Sequence, residues 1–191
     1  MIQFESLVEL DYLYLLDYDP DVKQFEEQPV TIQYLWEEKS LRYTPDFLVV
    51  RHECTNLVEC KPDRFVHSEE NQRKFKAAEK WCAETGWKFS VVTSNEIRSG
   101  FRLQNVKFLT RFARYQPDVV VRSRIYDYFL RTDQPLTVIN LAQRISEHNL
   151  AIGIAAIFHL VFHHELLVNL DQASVTETSF VYLVSKIGES R

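Results

Sequence analysis

The sequence predicts an α/β protein in which a mixed sheet flanked by helices is followed by a smaller domain of helices and a terminal strand pair. Three observations carry that expectation. Two Val- and Leu-rich runs, Phe47 to Val50 and Leu57 to Val58, flank the polar stretch His52-Glu53-Cys54-Thr55-Asn56, which is the pattern of a β-hairpin. A helical pattern bounded by Ser68 and Gly86 leads directly into the apolar strand pattern Trp87 to Thr93. Beyond Gln116-Pro117-Asp118 the alternation changes to three helical segments and two short strand-like runs.

The elements follow in order. Residues 5 to 17 read as an amphipathic helix in which Ser6 and Glu9 have the spacing of a capping box. Asp17 to Asp21, with Pro20, ends it. A strand is expected from Val30 to Trp36, then a turn at Glu37-Glu38-Lys39-Ser40 into a second strand that carries Asp46. Pro62 breaks the strand that ends at Lys61. Residues 68 to 85 form the next helix, with Ser68 as N-cap and Glu69 and Glu70 favourably placed in the first turn. Phe75, Ala78, Trp81 and Cys82 make its apolar row, while Arg73, Lys74, Lys76 and Lys80 read mostly as a solvated face. Gly86 ends it as the C′ residue. Ser94-Asn95-Glu96-Ile97 starts another short helix, and Asn105 to Tyr115 a helical connector. The later helices are expected at Val119 to Leu130, Val138 to Ser146 and Leu150 to Leu167, and the last strands at Leu167 to Asp171 and Phe180 to Val184. The domain boundary is expected near residue 104, giving domains 1–104 and 105–191.

Composition limits the function. The chain has 191 residues, 46% hydrophobic and 26% charged, which is ordinary for a folded water-soluble protein. No apolar run is long enough to span a membrane, and Met1 opens onto an acidic segment without the look of a signal peptide. A cytoplasmic protein with no membrane partner is expected. Cys54, Cys60 and Cys82 lack metal-ligand spacing and read as reduced thiols. The net charge of −5 argues against a protein that grips DNA through bulk electrostatics alone. The acidity is concentrated early: residues 1–105 hold 13 basic and 19 acidic side chains, and the remainder 9 and 8.

The chemistry concentrates at the hairpin. With a turn near Glu53 and Cys54, antiparallel pairing puts Asp46 beside Glu59 and Lys61. Side chains alternate along a strand, so Glu59 and Lys61 share a face and Cys60 points the other way. Two carboxylates and an ammonium at one end of a hairpin suit a hard divalent cation, which takes carboxylate oxygens and keeps several waters. Such a metal lowers the pKa of water and steadies charge on phosphate, while a Lys orients the attacking water or stabilises the phosphoryl charge. A solvated strand shows the same residues by chance. His159 and His163 stand at i, i+4 without any further ligand pattern and read as satisfied or exposed histidines.

The spacing Pro45-Asp46 followed by Glu59-Cys60-Lys61 resembles the PD-(D/E)xK nuclease superfamily. A more specific resemblance is carried by segments in a fixed order: Phe4 to Leu13, Asp19-Pro-Asp-Val, Phe25-Glu-Glu-Gln-Pro-Val, Arg42-Tyr-Thr-Pro-Asp-Phe-Leu-Val, Leu57-Val-Glu-Cys-Lys-Pro, and Trp87-Lys-Phe-Ser-Val-Val-Thr with Asn95-Glu-Ile. Together, from residue 4 to about 97, these resemble the TnsA endonuclease subunit of heteromeric bacterial transposases. The resemblance implies a restriction-endonuclease-like mixed sheet flanked by helices. It also implies DNA endonuclease activity that cuts the 5′ (non-transferred) strands at transposon ends, and Mg²⁺, with Mn²⁺ as a substitute, as the cofactor. Carried over by position, Glu9, Asp46 and Glu59 become catalytic acids and metal ligands together with the backbone carbonyl of Cys60, and Lys61 becomes the catalytic lysine. Gln28 is placed as a neighbour of the site. The implied partners are transposon-end DNA, a DDE-type transposase subunit and an AAA+ ATPase regulator.

Three helices and a terminal hairpin give the second domain a winged-helix-like pattern. A DNA-reading winged helix has a basic third helix, yet no Lys or Arg occurs between Arg144 and Lys186. Partner binding is therefore expected there, with DNA contact by Arg111, Arg114, Arg122 and Arg124 as the second choice. Two rival readings stand beside the transposase subunit: a stand-alone nuclease of the restriction or repair type, and a non-catalytic adaptor for the transposition complex.

Overall fold

The computed structural model describes residues 7–132, 134–146 and 149–184. The chain divides into two compact units, Met1–Ser99 and Gly100–Arg191.

The first unit is built on a four-stranded sheet. It opens with helix α1 (Leu7–Tyr18), followed by strands β1 (Val22–Glu27), β2 (Ile32–Trp36), β3 (Lys39–Tyr43), β4 (Phe47–Arg51) and β5 (Thr55–Lys61). Next come the short helix α2 (Asp63–Val66), the long helix α3 (Glu69–Thr85), strand β6 (Lys88–Thr93) and helix α4 (Ser94–Ile97). The sheet order is β1-β4-β5-β6. Strand β4 pairs antiparallel with both β1 and β5, and β6 runs parallel to β5, so the sheet is mixed. The two central strands carry the least exposed side chains, with Val49 and Leu57 fully buried. Parallel pairing requires a crossover, and α3 supplies it. Ser68 caps α3 by accepting from the Asn71 amide, and Gly86 ends it at φ 75°, a conformation only glycine adopts without strain.

Helix α1 departs from the amphipathic expectation. It is apolar nearly all round, and Val8, Leu13, Leu16 and Tyr18 are buried, as expected of a helix covered on most sides. Buried Asp11 is held by Arg98 Nε at 2.7 Å, which ties α1 to the end of α4. The expected cap Ser6 lies outside the described residues. Two further expectations are corrected. Val22–Glu27 is a strand, absent from the sequence reading because only its partnership with β4 marks this polar edge segment as one. The strand expected to run on to Asp46 ends at Tyr43. It pairs only with β2, forming a separate two-stranded ribbon. That ribbon closes over α3: Ile32 and Tyr43 pack with Leu57, Ala78 and Cys82 in one buried cluster.

The second unit contains α5 (Arg102–Leu109), a 3-10 turn (Thr110–Phe112), α6 (Val119–Arg131), β7 (Leu136–Thr137), α7 (Val138–Ile145), α8 (Leu150–Phe162), β8 (Leu166–Leu167) and β9 (Phe180–Leu183). The three short strands pair antiparallel in the order β7-β9-β8. Ile125, Leu141, Ala142, Ile157 and Leu160 are fully buried between the helices. A Cβ at Gly153 would lie 3.2 Å from Ala142 Cα and collide with Ser146 Oγ, so glycine permits the close approach of α7 and α8. Helix α8 stops at Phe162, five residues earlier than expected, because His163 turns and His164 adopts φ 58°. The strand expected at Leu167 to Asp171 is only Leu166–Leu167. The rest of that loop is pinned by buried Asn105, whose amide donates to the Leu170 and Ala173 carbonyls and accepts from the Val175 amide, all at 2.8 Å.

Candidate active site

The site lies where β4 begins and β5 ends. The β4–β5 register pairs Phe47 with Val58, which brings Asp46, one residue earlier, level with Glu59. Asp46 Oδ2 accepts the Cys60 backbone amide at 2.7 Å. Glu59 is 2% exposed, and both its oxygens have partners. Lys61 Nζ forms an ion pair with Oε1, and the Tyr43 hydroxyl donates to Oε2 at 2.7 Å. Gln28, at φ 47°, donates its backbone amide to the Asp46 carbonyl at 2.9 Å, which anchors the start of β4.

These groups are electrostatically linked. Burial pushes the Asp46 carboxyl up to about 7, and the neighbouring Glu59 carboxylate adds to the shift. The Cys60 amide and the Lys61 ammonium oppose it, and the Glu9 carboxylate reinforces it. Burial works against the Lys61 ammonium, yet Glu59, Asp46 and Glu9 together hold its pKa above the ordinary value. Burial and the Glu59 carboxylate both raise the Tyr43 hydroxyl, so it stays protonated as a donor. The Cys60 thiol is raised chiefly by burial and stays neutral. Cys60 thus offers the site main-chain groups rather than a thiolate.

Among the described residues no three His, Cys, Asp or Glu side chains are arranged to hold a metal ion as they stand. Lys61 and Tyr43 are bonded to the two Glu59 carboxylate oxygens. The donor chemistry nevertheless fits a hard cation. It is an all-oxygen set around a carboxyl whose pKa is raised first by burial and then by the neighbouring Glu59 carboxylate, and a divalent ion would offset that negative charge.

Tyr43 is the site residue that the sequence reading left out. The signal was available, since Tyr43 stands three residues before Asp46, but nothing local says that its hydroxyl reaches a residue 16 positions on. Tyr43→Phe strands Glu59 Oε2 in a buried setting. It should lower unfolding stability by about 1–3 kcal/mol in urea titrations, the usual penalty for an unpaired buried acceptor. An unchanged midpoint would show that water replaces the hydroxyl there.

Glu9 lies in the first turn of α1, and the expected DNA-contact arginines lie in the second unit. The Arg122 guanidinium bonds Glu165 at 2.6 Å, and the Tyr126 hydroxyl donates to the same carboxylate. Arg124 Nη1 donates to the Ile145 carbonyl at 3.1 Å. Both arginines thus make contacts within their own unit. Arg111 is exposed with its guanidinium 5.9 Å from the Phe108 ring, and Arg114 is exposed. His159 and His163 bond the Phe112 and Ala113 carbonyls, as expected of satisfied histidines.

A mixed sheet with flanking helices, carrying two carboxylates and a lysine at one end of its central hairpin, has the architecture of a nuclease-like domain. Residues 19–94 match the family model described as TnsA-like endonuclease N terminal, so the first unit carries a TnsA-like endonuclease domain, the nuclease type of Tn7-like transposases. The match contains Asp46, Glu59 and Lys61, and leaves Glu9 and the second unit outside it. No curated protein matches the chain. No helix among the described residues is long and apolar enough to cross a membrane.

Proposed function

We propose that this chain is the DNA endonuclease subunit of a Tn7-like transposase, cutting the 5′ (non-transferred) strands at transposon ends by metal-dependent phosphodiester hydrolysis. The observation that carries the reading is the buried Asp46–Glu59–Lys61 cluster lying inside the segment that matches the TnsA-like endonuclease family. Glu9, Asp46, Glu59 and the Cys60 carbonyl would hold Mg²⁺, or Mn²⁺ in its place. A divalent ion there supplies a lowered water pKa and neutralisation of phosphate charge. The chain's own groups do the rest. Asp46 would hold the ion as a carboxylate, and the Tyr43 hydroxyl orients Glu59. Lys61, released from Glu59, places an ammonium against the phosphate oxygen that gains charge.

The net charge of −5 fits a subunit that relies on partners to position DNA. We assign those partners as a DDE-type transposase and an AAA+ ATPase, in a cytoplasmic complex on transposon-end DNA. The run α6-β7-α7-α8-β8-β9 supports a winged-helix-like reading of the second unit, and α8 carries no Lys or Arg. Docking of a protein partner is the reading this favours, with Arg111, Arg114 and Arg122, all exposed, as candidates for DNA contact.

The test is strand-specific cutting of DNA bearing the element's ends, in Mg²⁺, by this protein alone and with its neighbouring transposase and ATPase. Nicking of the 5′ strands only in the mixture is the expected result. Cutting without partners would replace the proposal with a stand-alone nuclease. Excision that persists when Asp46 is replaced by Ala would leave an adaptor.

A further inference from the structure

The outer side of the first unit holds a second feature, the groove of about 650 Å³ between the β2–β3 ribbon and α3. Its walls follow from two periodicities. Ile32, Tyr34 and Trp36 alternate onto one face of β2. On α3, Arg73, Ala77 and Trp81 make one i, i+4 row, and Lys76, Lys80 and Glu84 make the next. All of these residues line the groove. Three of the basic side chains that read from sequence as a solvated face therefore form one wall of a cleft whose other wall is aromatic.

Two residues lining the groove carry buried hydrogen-bond donors with no acceptor among the described residues, Trp36 Nε1 and Arg73 Nε. Such groups are rare in folded proteins, because each costs about 1–3 kcal/mol when left unmade. The Arg73 guanidinium lies over the Trp36 ring, 4.9 Å from its centre, and covers that face of it. Lys76 and Lys80 add two positive charges, against the single carboxylate of Glu84. An occupant that satisfies this surface carries acceptors, negative charge and flat rings. The groove is also far larger than one phosphate group.

We propose that this groove binds a single strand of DNA, with bases stacked on Trp36 and Trp81 and phosphates held by Arg73, Lys76 and Lys80. Stacking on aromatic side chains contributes about 1–3 kcal/mol per base and tolerates any sequence. The inference extends the nuclease reading, but binding rather than cutting tests it.

The experiment uses the full chain carrying Lys61→Met, so that no cleavage intervenes. Fluorescence anisotropy at low salt measures binding of a labelled oligodeoxynucleotide of roughly 15 residues, a length within the range of known single-strand sites. The corresponding duplex and ATP are the competitors. Lys76→Glu with Lys80→Glu, both exposed on α3, should weaken single-strand binding about tenfold or more. The double change should also reduce the salt dependence by about 1.4, roughly 0.7 per lost phosphate contact. Tryptophan emission should fall on binding, and less so in Trp36→Phe, which keeps a ring but removes the donor. No detectable single-strand binding by the parent, or equal binding by the double variant, overturns the proposal. Duplex competing better than single strand would remove the stacking role, and ATP competing equally well would make this a small-anion site. Either result also overturns it. Failure here with partner-dependent nicking intact would leave the nuclease reading standing.

Discussion

Asp46→Asn should no longer support strand cutting, and it should be harder to unfold than the parent. The loss of cutting, at least about 10²-fold, follows from removing a charged oxygen from the centre of the proposed site. The gain in stability follows from the Asp46 carboxyl, which burial and Glu59 push up to about 7. Between the ordinary aspartate value near 4 and pH 7, the folded chain keeps a proton that the unfolded chain has lost. Stability therefore falls as pH rises through that window, and the penalty is complete above it. An asparagine still accepts the Cys60 amide but carries no charge to desolvate. Urea unfolding in chelator at pH 8 should show a gain of about 2–4 kcal/mol, from about 1.4 kcal/mol per pKa unit. At pH 5 the gain should shrink. An Asp46→Asn protein no more stable than the parent at pH 8 would mean that this carboxylate is not strained by its surroundings.

Lys61→Met should lose cutting to a similar extent, about 10²–10³-fold, but with the opposite effect on stability. Methionine keeps most of the apolar stem while removing the charge. Glu59, 2% exposed, then has the Tyr43 hydroxyl but no ammonium beside it. Removing one partner of a buried ion pair typically costs about 3–5 kcal/mol. Lys61 itself is a quarter exposed, so a loss of about 2–4 kcal/mol in urea unfolding is expected. Adding Glu59→Gln should recover the stability without recovering the cutting. Mg²⁺ should also raise the midpoint of Lys61→Met, since a divalent ion supplies the positive charge the variant lacks. A variant as stable as the parent, indifferent to Mg²⁺, would show that Lys61 and Glu59 are not coupled in solution. The contrast between the variants separates a charge that strains the site from one that neutralises it, although both are expected to lose cutting.

The residues that stop and start elements were legible because they act on their neighbours. Ser68 and Gly86 bound α3 as their chemistry requires, with a side-chain cap at one end and a left-handed turn at the other. The β4–β5 hairpin was legible from its two apolar runs and the polar turn between them, although the turn sits one residue earlier than expected, which pairs Asp46 with Glu59 rather than Lys61. Counting from the expected turn still put Asp46 beside Glu59 and Lys61. The order of segments around the hairpin carried the family resemblance, and the match over residues 19–94 bears it out.

What the sequence by itself determined, then, is whatever depends on near neighbours: the caps of α3, the central hairpin, and the acidic pair with its lysine. Only the tertiary structure decided which elements join over long separations. It made Val22–Glu27 an edge strand by pairing it with β4, and it set the ribbon apart over α3. It brought Tyr43 to Glu59, Asp11 to Arg98, 87 residues apart, and Arg73 to Trp36. The physical reason is that periodicity and capping are short-range and can be read from the order of residues. A buried polar group, by contrast, takes whichever partner the packed chain brings within reach, and its distance along the sequence leaves no mark on either residue.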